Sequence, residues 1–399
     1  MECWSDGNSG NPMLHYSSTP ILHLPFFPRV PLAVPYWNGE TYRGILRSLL
    51  SGAAVEGDDL QRLRSLVIET LGVEEAVLCG SGSLALEIAL RACGVGRGDE
   101  VVIPTFCCTA VVPPIIAVGA VPVLADTGAE LNVTAATVDA ALTEKTKAII
   151  VPHLFGNPAD IVAIIDLAHA RSIRVIDDAA QSLGATIDGW PVGSFGDTGI
   201  LSFGSEKVCS GLGGGVVVSR SRNFLHCGSS LDLPPPQVAS TLGELFATLL
   251  FRRWRRWTYP WLRAKTAPDA PPAPYRKEAM ANLNAAVAAS LVRSLQENLA
   301  ARRARVDAYR ELLGSDGRLE LIPHRRGSAC LTQVVRVLPK HRGEDSAAQI
   351  IQALGSAGYE IQGSYVPIHL LAYYHQLVRG PLHGAEQVWS DLIELPCEP

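Results

Sequence analysis

The sequence predicts an α/β fold: a large domain with a mainly parallel, seven-stranded-type sheet covered by helices, followed by a smaller α/β domain. Three observations carry this. From about Tyr36 to Val218, short apolar runs of strand length alternate with amphipathic stretches of helical period. The rhythm breaks over residues 233–274, which open on Pro234-Pro235-Pro236. A long helical stretch then leads into a second, shorter strand–helix–strand pattern.

The elements follow in order. Asp58 to Leu71 has helical apolar spacing, and Ala76 to Cys79 is a short strand. Gly80-Ser81-Gly82-Ser83 then opens a helix over Leu84 to Ala92. Strands are expected at Glu100 to Ile103, Val121 to Leu124, Lys147 to Pro152 and Arg174 to Ile176, with a helix from Asp160 to Arg171. Ile200 to Phe203 and Val216 to Val218 close the series. Strands alternating with helices over this length imply parallel pairing, and ligands of such sheets bind outside the carboxyl ends of the strands. Asn284 to Leu312 reads as one long helix, with strands at Thr332 to Val337 and Tyr359 to Ile361 around a helix from Ser346 to Ala357. The expected division is an amino-terminal mobile arm (1–35), a large domain (36–279) with an insertion at 233–274, and a linking helix with a small domain (280–399).

A chain of 399 residues accommodates both domains, and a net charge of −5 offers no basic footprint for nucleic acid. Nine cysteines without CxxC spacing form neither a disulfide framework nor a zinc motif, so no metal is expected and a reducing cytoplasm is the expected compartment. The Pro-, Ser-, Asn- and Gly-rich start lacks the basic and apolar regions of a signal peptide. Leu242 to Trp261 combines two Arg pairs with three tryptophans. That stretch suits either an amphipathic helix packing on its own domain or a partner subunit, or a helix lying on a membrane surface. It is too short in apolar residues to span a bilayer.

Lys207 is the residue that carries chemistry. It is one of six lysines against twenty-eight arginines, and it lies between the apolar runs ending at Phe203 and starting at Val216. A lysine between buried strands is costly unless its amine is neutralised, hydrogen-bonded or covalently used. Two other motifs accompany it. Gly80 to Ser83, between strand and helix, offers backbone N–H groups and hydroxyls for a phosphate. Asp177-Asp178-Ala179-Ala180-Gln181 ends a strand, where a buried carboxylate can keep a pyridine nitrogen protonated and a nearby Gln can bond a ring oxygen. Ser202, five residues before Lys207, can add a hydroxyl to the phosphate site. A phosphate cradle, a pyridinium carboxylate and an imine-forming lysine are the three parts of a pyridoxal 5'-phosphate site.

The stretch from about Leu49 to Arg220 resembles the DegT/DnrJ/EryC1/StrS family of aminotransferases, pyridoxal-phosphate enzymes of fold type I. The resemblance lies in Gly80 to Leu86, Gly98 to Thr105, Gly119 to Val123, Thr146 to His153, Phe155 to Asp160, Asp177 to Ala185 and Ser202 to Lys207. Fainter similarity runs through Met280 to Arg303, Val366 to His369 and Leu395-Pro396. It implies Lys207 as the imine-forming lysine, Asp178 as the pyridinium partner and Gln181 on the ring oxygen, with Gly82, Ser83 and Ser202 holding the phosphate. It further implies a homodimer that transfers an amino group from glutamate or glutamine to a keto sugar, commonly nucleotide-linked. His369 is a candidate substrate contact, and His153 reads as structural. Sugar dehydratases of this family carry histidine where Lys207 stands, so the retained lysine favours amino transfer. The chain departs from the family in three places. Cys108 stands where an aromatic stacks on the ring, with Phe106 as the alternative. Leu212-Gly213-Gly214-Gly215 stands where the family has Gly-Glu-Gly-Gly, so a carboxylate is missing, and Ala279-Met280-Ala281-Asn282 replaces an Arg-Met-x-Glu pattern. These losses leave open another reaction on the same cofactor, of lyase type, or a regulatory role without turnover.

Overall fold

The computed structural model describes residues 35–128, 130–225, 233–249, 274–338, 346–359 and 361–398. The expected mobile arm, up to residue 34, and the Trp- and Arg-rich centre of the insertion at 250–273 lie outside the described residues.

The helices are α1 (Gly39–Leu50), α2 (Asp58–Leu71), α3 (Gly82–Ala92), α4 (Val112–Ala117), α5 (Ala135–Asp139), α6 (Ile161–His169), α7 (Val238–Ala247), α8 (Asn282–Arg293), α9 (Leu295–Leu313), α10 (Ala347–Ser356) and α11 (His383–Val388). Local chemistry explains several ends. Asn38 caps α1 by accepting from the amides of Glu40 and Thr41. α2 stops at Gly72, whose φ of 62° is a left-handed cap that glycine adopts without a side-chain clash.

The large sheet contains β1 (Glu75–Cys79), β2 (Glu100–Pro104), β3 (Val121–Ala125), β4 (Thr146–Pro152) and β5 (Arg174–Asp178). After a small hairpin of β6 (Thr186–Ile187) and β7 (Trp190–Pro191), it is completed by β8 (Thr198–Ser202) and β9 (Gly215–Ser219). The spatial order is β1-β9-β8-β5-β4-β2-β3. All pairings are parallel except those of β9, which runs against both neighbours. Every residue of β2 and β9 is buried, as expected of strands covered on both faces. Alternation along β9 divides the core: Val217 packs with the α3 layer, while Val216 and Val218 join the layer that holds α8.

The expected single long helix is two. Ser294, at φ −90° and ψ 13°, ends α8, and its hydroxyl donates to the Ser290 carbonyl at 3.1 Å. α8 is buried along almost its whole length, against the large sheet's core, whereas most of α9 is not. The break lets the two helices satisfy different surroundings.

The second sheet is antiparallel, in the order β10 (Leu319–Leu321), β11 (Thr332–Val337), β13 (Leu392–Pro396), β12 (Gln362–Gly363). β12 lies just beyond the strand expected at Tyr359 to Ile361. β13 sits at the centre of the sheet and is defined by its two neighbours rather than by any local pattern. Among the described residues, no helix is long and apolar enough to cross a membrane. In the described part of the insertion, Leu245 is buried while Leu242 and Phe246 are exposed.

Candidate active site

A cavity of about 340 Å³ opens at the carboxyl ends of β4, β5 and β8, with the amino terminus of α3 as one wall. Gly82, Ser83, Asp178, Gln181, Ser202 and Lys207 all line it. The sequence motifs separated by more than a hundred residues therefore meet at one place.

The α3 wall is an anion site in waiting. Ser81 caps the helix, its hydroxyl accepting from the Leu84 amide at 3.1 Å, so Gly82 and Ser83 keep amides with no intrahelical acceptor. Glycine is required at 82: an added Cβ would lie 2.8 Å from Ser202 Oγ. The Ser202 hydroxyl accepts from the Gly204 amide at 3.3 Å, and the Ser83 hydroxyl donates to the Ala110 carbonyl at 3.3 Å.

At the end of β5, consecutive carboxylates point to opposite fates. Asp177 is fully buried and saturated. Its Oδ1 meets His153 Nε2 at 2.7 Å, and its Oδ2 accepts from the amides of Gly193 and Phe195. His153 Nδ1 accepts from the Ala159 amide at 2.8 Å, so Nε2 carries the proton donated to Asp177. Asp178 is also buried, but only the Ala180 amide reaches it, on Oδ1 at 3.0 Å; among the described residues no donor meets Oδ2. Burial raises the Asp178 carboxyl above its ordinary range, opposed by the Ala180 amide and the positive charge of Lys207.

Lys207 stands in the turn after β8 and is half-buried at the cavity wall. Gln181 is held by two partners. Its Oε1 accepts from the Phe155 amide at 3.0 Å, and its Nε2 donates to the Tyr365 hydroxyl at 3.1 Å. Phe155 has φ 61°, and the following Gly156 has φ 78°, where an added Cβ would lie 2.6 Å from the Leu331 amide nitrogen. This strained turn is pinned by the Leu331 and Ala329 amides, which donate to the carbonyls of Phe155 and Gly156.

Of the two residues weighed for ring stacking, Cys108 lines the cavity. Phe106 is fully buried behind it, packed against Phe155 and Tyr365. His369 is not among the cavity-lining residues; its Nδ1 meets Thr105 Oγ1 at 2.6 Å and its Nε2 meets Glu386 at 3.0 Å. In the Leu212 to Gly215 stretch, Leu212 is core, and its carbonyl accepts from Asn284 Nδ2.

Sequence reasoning missed two contributors. One is Tyr365, a single residue upstream of the quoted Val366-Pro367-Ile368-His369 segment. The other is the stretch 274–280, which straps the rim. The Gly80 amide donates to Glu278 O at 2.8 Å, and the Ser81 hydroxyl to Arg276 O at 3.0 Å. Buried Glu87 accepts from Arg91, Lys277 and the Tyr275 hydroxyl. Tyr275 and Arg276 thereby line the cavity.

The mainly parallel α/β sheet, with a lysine, an open buried carboxylate and a helix amino terminus around one cavity, has the fold of known aminotransferases. The Helicobacter pylori aminotransferase PseC, involved in the biosynthesis of pseudoaminic acid, superimposes with a TM-score of 0.77 at 18% identity, over 92% of this chain and 94% of that one. The chain belongs to the DegT/DnrJ/EryC1/StrS aminotransferase family, whose model matches residues 38–230 and 274–399. The UDP-N-acetyl-3-dehydro-alpha-D-glucosamine 3-aminotransferase of Acidithiobacillus ferrooxidans is 43% identical over 45% of this chain, and the chain spans about half (49%) of that relative. The GDP-perosamine synthase of Caulobacter vibrioides is 28% identical over 92% of this chain and 93% of its own length.

Proposed function

We propose that the protein is a pyridoxal-phosphate-dependent aminotransferase that moves an amino group from glutamate or glutamine to a nucleotide-linked keto sugar. The observation that carries this reading is the open Asp178 oxygen beside Lys207, across one cavity from the α3 amino terminus. The relatives support the sugar: one is named for a UDP-linked 3-dehydro-glucosamine, another for GDP-perosamine.

The residues fit the cofactor. Gly82, Ser83 and Ser202 would hold its phosphate, and Asp178 a protonated ring nitrogen. A buried carboxylate with one unpartnered oxygen is stabilised by such a cationic N–H donor. Gln181 would donate to the ring oxygen. When bound, pyridoxal phosphate supplies an aldehyde that accepts an amine and a ring that withdraws electrons. The Lys207 amine would be placed to carry a proton between neighbouring carbon positions, and Asp178 would hold the ring nitrogen's proton. Tyr275 and Arg276 of the strap would face the bound group, since both line the cavity.

The remaining parts of the proposal have their own support. Seven described cysteines are free thiols, which suits a reducing cytoplasm. Leu46, Leu49 and Leu50 stand exposed on α1, which suits a homodimer with a second copy covering them. We place the domain division near residue 279, with α8 as the link.

An absorbance spectrum with added pyridoxal phosphate tests the reading. A visible band is expected in wild type, bleached by glutamate and lost in Lys207→Ala, with the glutamate half-reaction slowed on the order of 10³-fold or more. A band that ignores amino donors would favour another reaction or a regulatory role. No band in the folded protein would sink the enzyme reading.

A further inference from the structure

Tyr365 does not line the cavity, yet it controls a residue that does. The Gln181 amide cannot flip: its Oε1 is taken by the Phe155 N–H, and reversal would set NH₂ against that donor. Nε2 therefore carries two N–H groups at a fixed place. One donates to the Tyr365 hydroxyl at 3.1 Å; the other is left for whatever occupies the cavity. Losing the Tyr365 acceptor would leave Oε1 as the amide's single anchor, about which its plane could turn and aim both donors elsewhere.

Tyr365 is itself firmly placed. Its ring stacks on Phe155 with centroids 5.9 Å apart and planes 27° apart, and it meets Phe106 edge-on at 6.0 Å. The chain on either side is bolted down. Ser364 Oγ donates to Glu394 of β13 at 2.9 Å, and the Ile368 amide donates to the Thr105 carbonyl, just past β2, at 2.7 Å. The tyrosine thus ties the carboxyl-terminal sheet to the wall of the cavity in the large sheet. Burial raises its phenol well above the ordinary range, so the hydroxyl remains a neutral acceptor for Gln181 at physiological pH.

We propose that Tyr365 is a positioning residue that acts through Gln181, holding one amide N–H aimed at an anionic oxygen of the bound cofactor ring. The inference rests on the cofactor reading given above. A donor to that oxygen disperses its negative charge, and weakening the donor makes the adjoining nitrogen hold its proton more tightly.

The test compares wild type, Tyr365→Phe, Gln181→Ala and the double variant. Three quantities are read on the pyridoxal-phosphate-loaded proteins and their apo forms: cofactor Kd, the pH midpoint of the visible band, and the apo melting temperature. Tyr365→Phe retains the stack on Phe155, so the apo melting temperature should stay close to wild type. The pH midpoint should rise by about 0.5 or more, roughly threefold in proton affinity, in the same direction as in Gln181→Ala. The double variant should add nothing to Gln181→Ala, since the two act as one unit. An unmoved midpoint in Tyr365→Phe, or additive effects in the double variant, would reduce Tyr365 to packing and overturn the inference alone. Wild type without any band would overturn the cofactor reading and take this inference with it.

Discussion

The end of β5 holds two aspartates that are neighbours in sequence and opposites in circumstance. Strand alternation sends their side chains to different faces. On one face Asp177 meets His153 and two backbone amides, and nothing about it remains to be satisfied. On the other, Asp178 is also buried but has one amide and an open oxygen at the cavity. Two buried carboxylates can thus differ entirely in purpose: one organises the loop after the β6–β7 hairpin, the other is left wanting a cation. What separates structure from function here is the count of donors.

The sharpest way to break that comparison is to neutralise each acid in turn. Asp178→Asn should slow the amino-donor half-reaction on the order of 10³-fold, read by stopped-flow absorbance, because the ring nitrogen loses its proton-holding partner. Yet the apo variant should be at least as stable as wild type above neutrality. The folded carboxyl is raised above its unfolded value, so its contribution is present at low pH and lost as pH rises through the folded value; the amide has no such loss. Asp177→Asn should do the reverse. Its amide N–H₂ would confront either the Gly193 and Phe195 donors, which share one oxygen, or the His153 Nε2–H on the other, costing about 1 to 3 kcal/mol by denaturant melt, with the rate per folded molecule largely kept. If both variants lose stability and rate alike, the contrast is wrong.

Glu394 offers an intermediate case and a smaller effect. It is buried on β13 and has two donors, Ser364 Oγ and Gln362 Nε2. Burial still dominates and pushes its carboxyl up to about 7 from an ordinary 4.5, with the Glu206 charge adding to the rise. Between those values the unfolded chain releases its proton first, so stability falls as pH rises through that window and levels off above it. Wild type should lose roughly 2 to 3 kcal/mol between pH 5 and pH 8 that Glu394→Gln does not lose. Paired urea melts at the two pH values would show it; parallel slopes for both proteins would exclude it.

Much of the large sheet and part of the second were legible because their signals are local. β11 and α2 fall where their apolar periods put them, and the Gly80–Ser83 turn advertises both the end of β1 and the start of α3. Lys207, Asp178, Gln181, Ser83, Gly82 and Ser202 were singled out the same way, by residue type near strand ends, and all six line one cavity. The rest depends on partners distant in the chain. β13 is Leu-Ile-Glu-Leu-Pro, too short and too mixed to stand out, and becomes a central strand only by pairing with β11 and β12. Nothing near Ser294 announces a break, because the change of surroundings that causes it comes from the large sheet. Tyr365 was invisible as a site residue since its role exists only through Gln181, nearly two hundred positions earlier. The open oxygen of Asp178 was likewise unreadable: a sequence names carboxylates, but cannot count the donors that reach them.

One bond at the rim bears on how such a chain can change over evolutionary time. The Ala279 amide donates to the Pro234 carbonyl at 2.9 Å, so the two ends of the 234–279 segment are held together, while Leu245 of α7 joins the core and Arg276 pairs with Glu244 inside it. A loop whose ends are already stapled lengthens cheaply, at about 0.6 kcal/mol for each doubling. This doorway is therefore a natural graft site. Lineages could lengthen the segment between α7 and the strap, acquiring new addresses or associations, while Glu244, Tyr275 and Arg276 keep their places at the cavity.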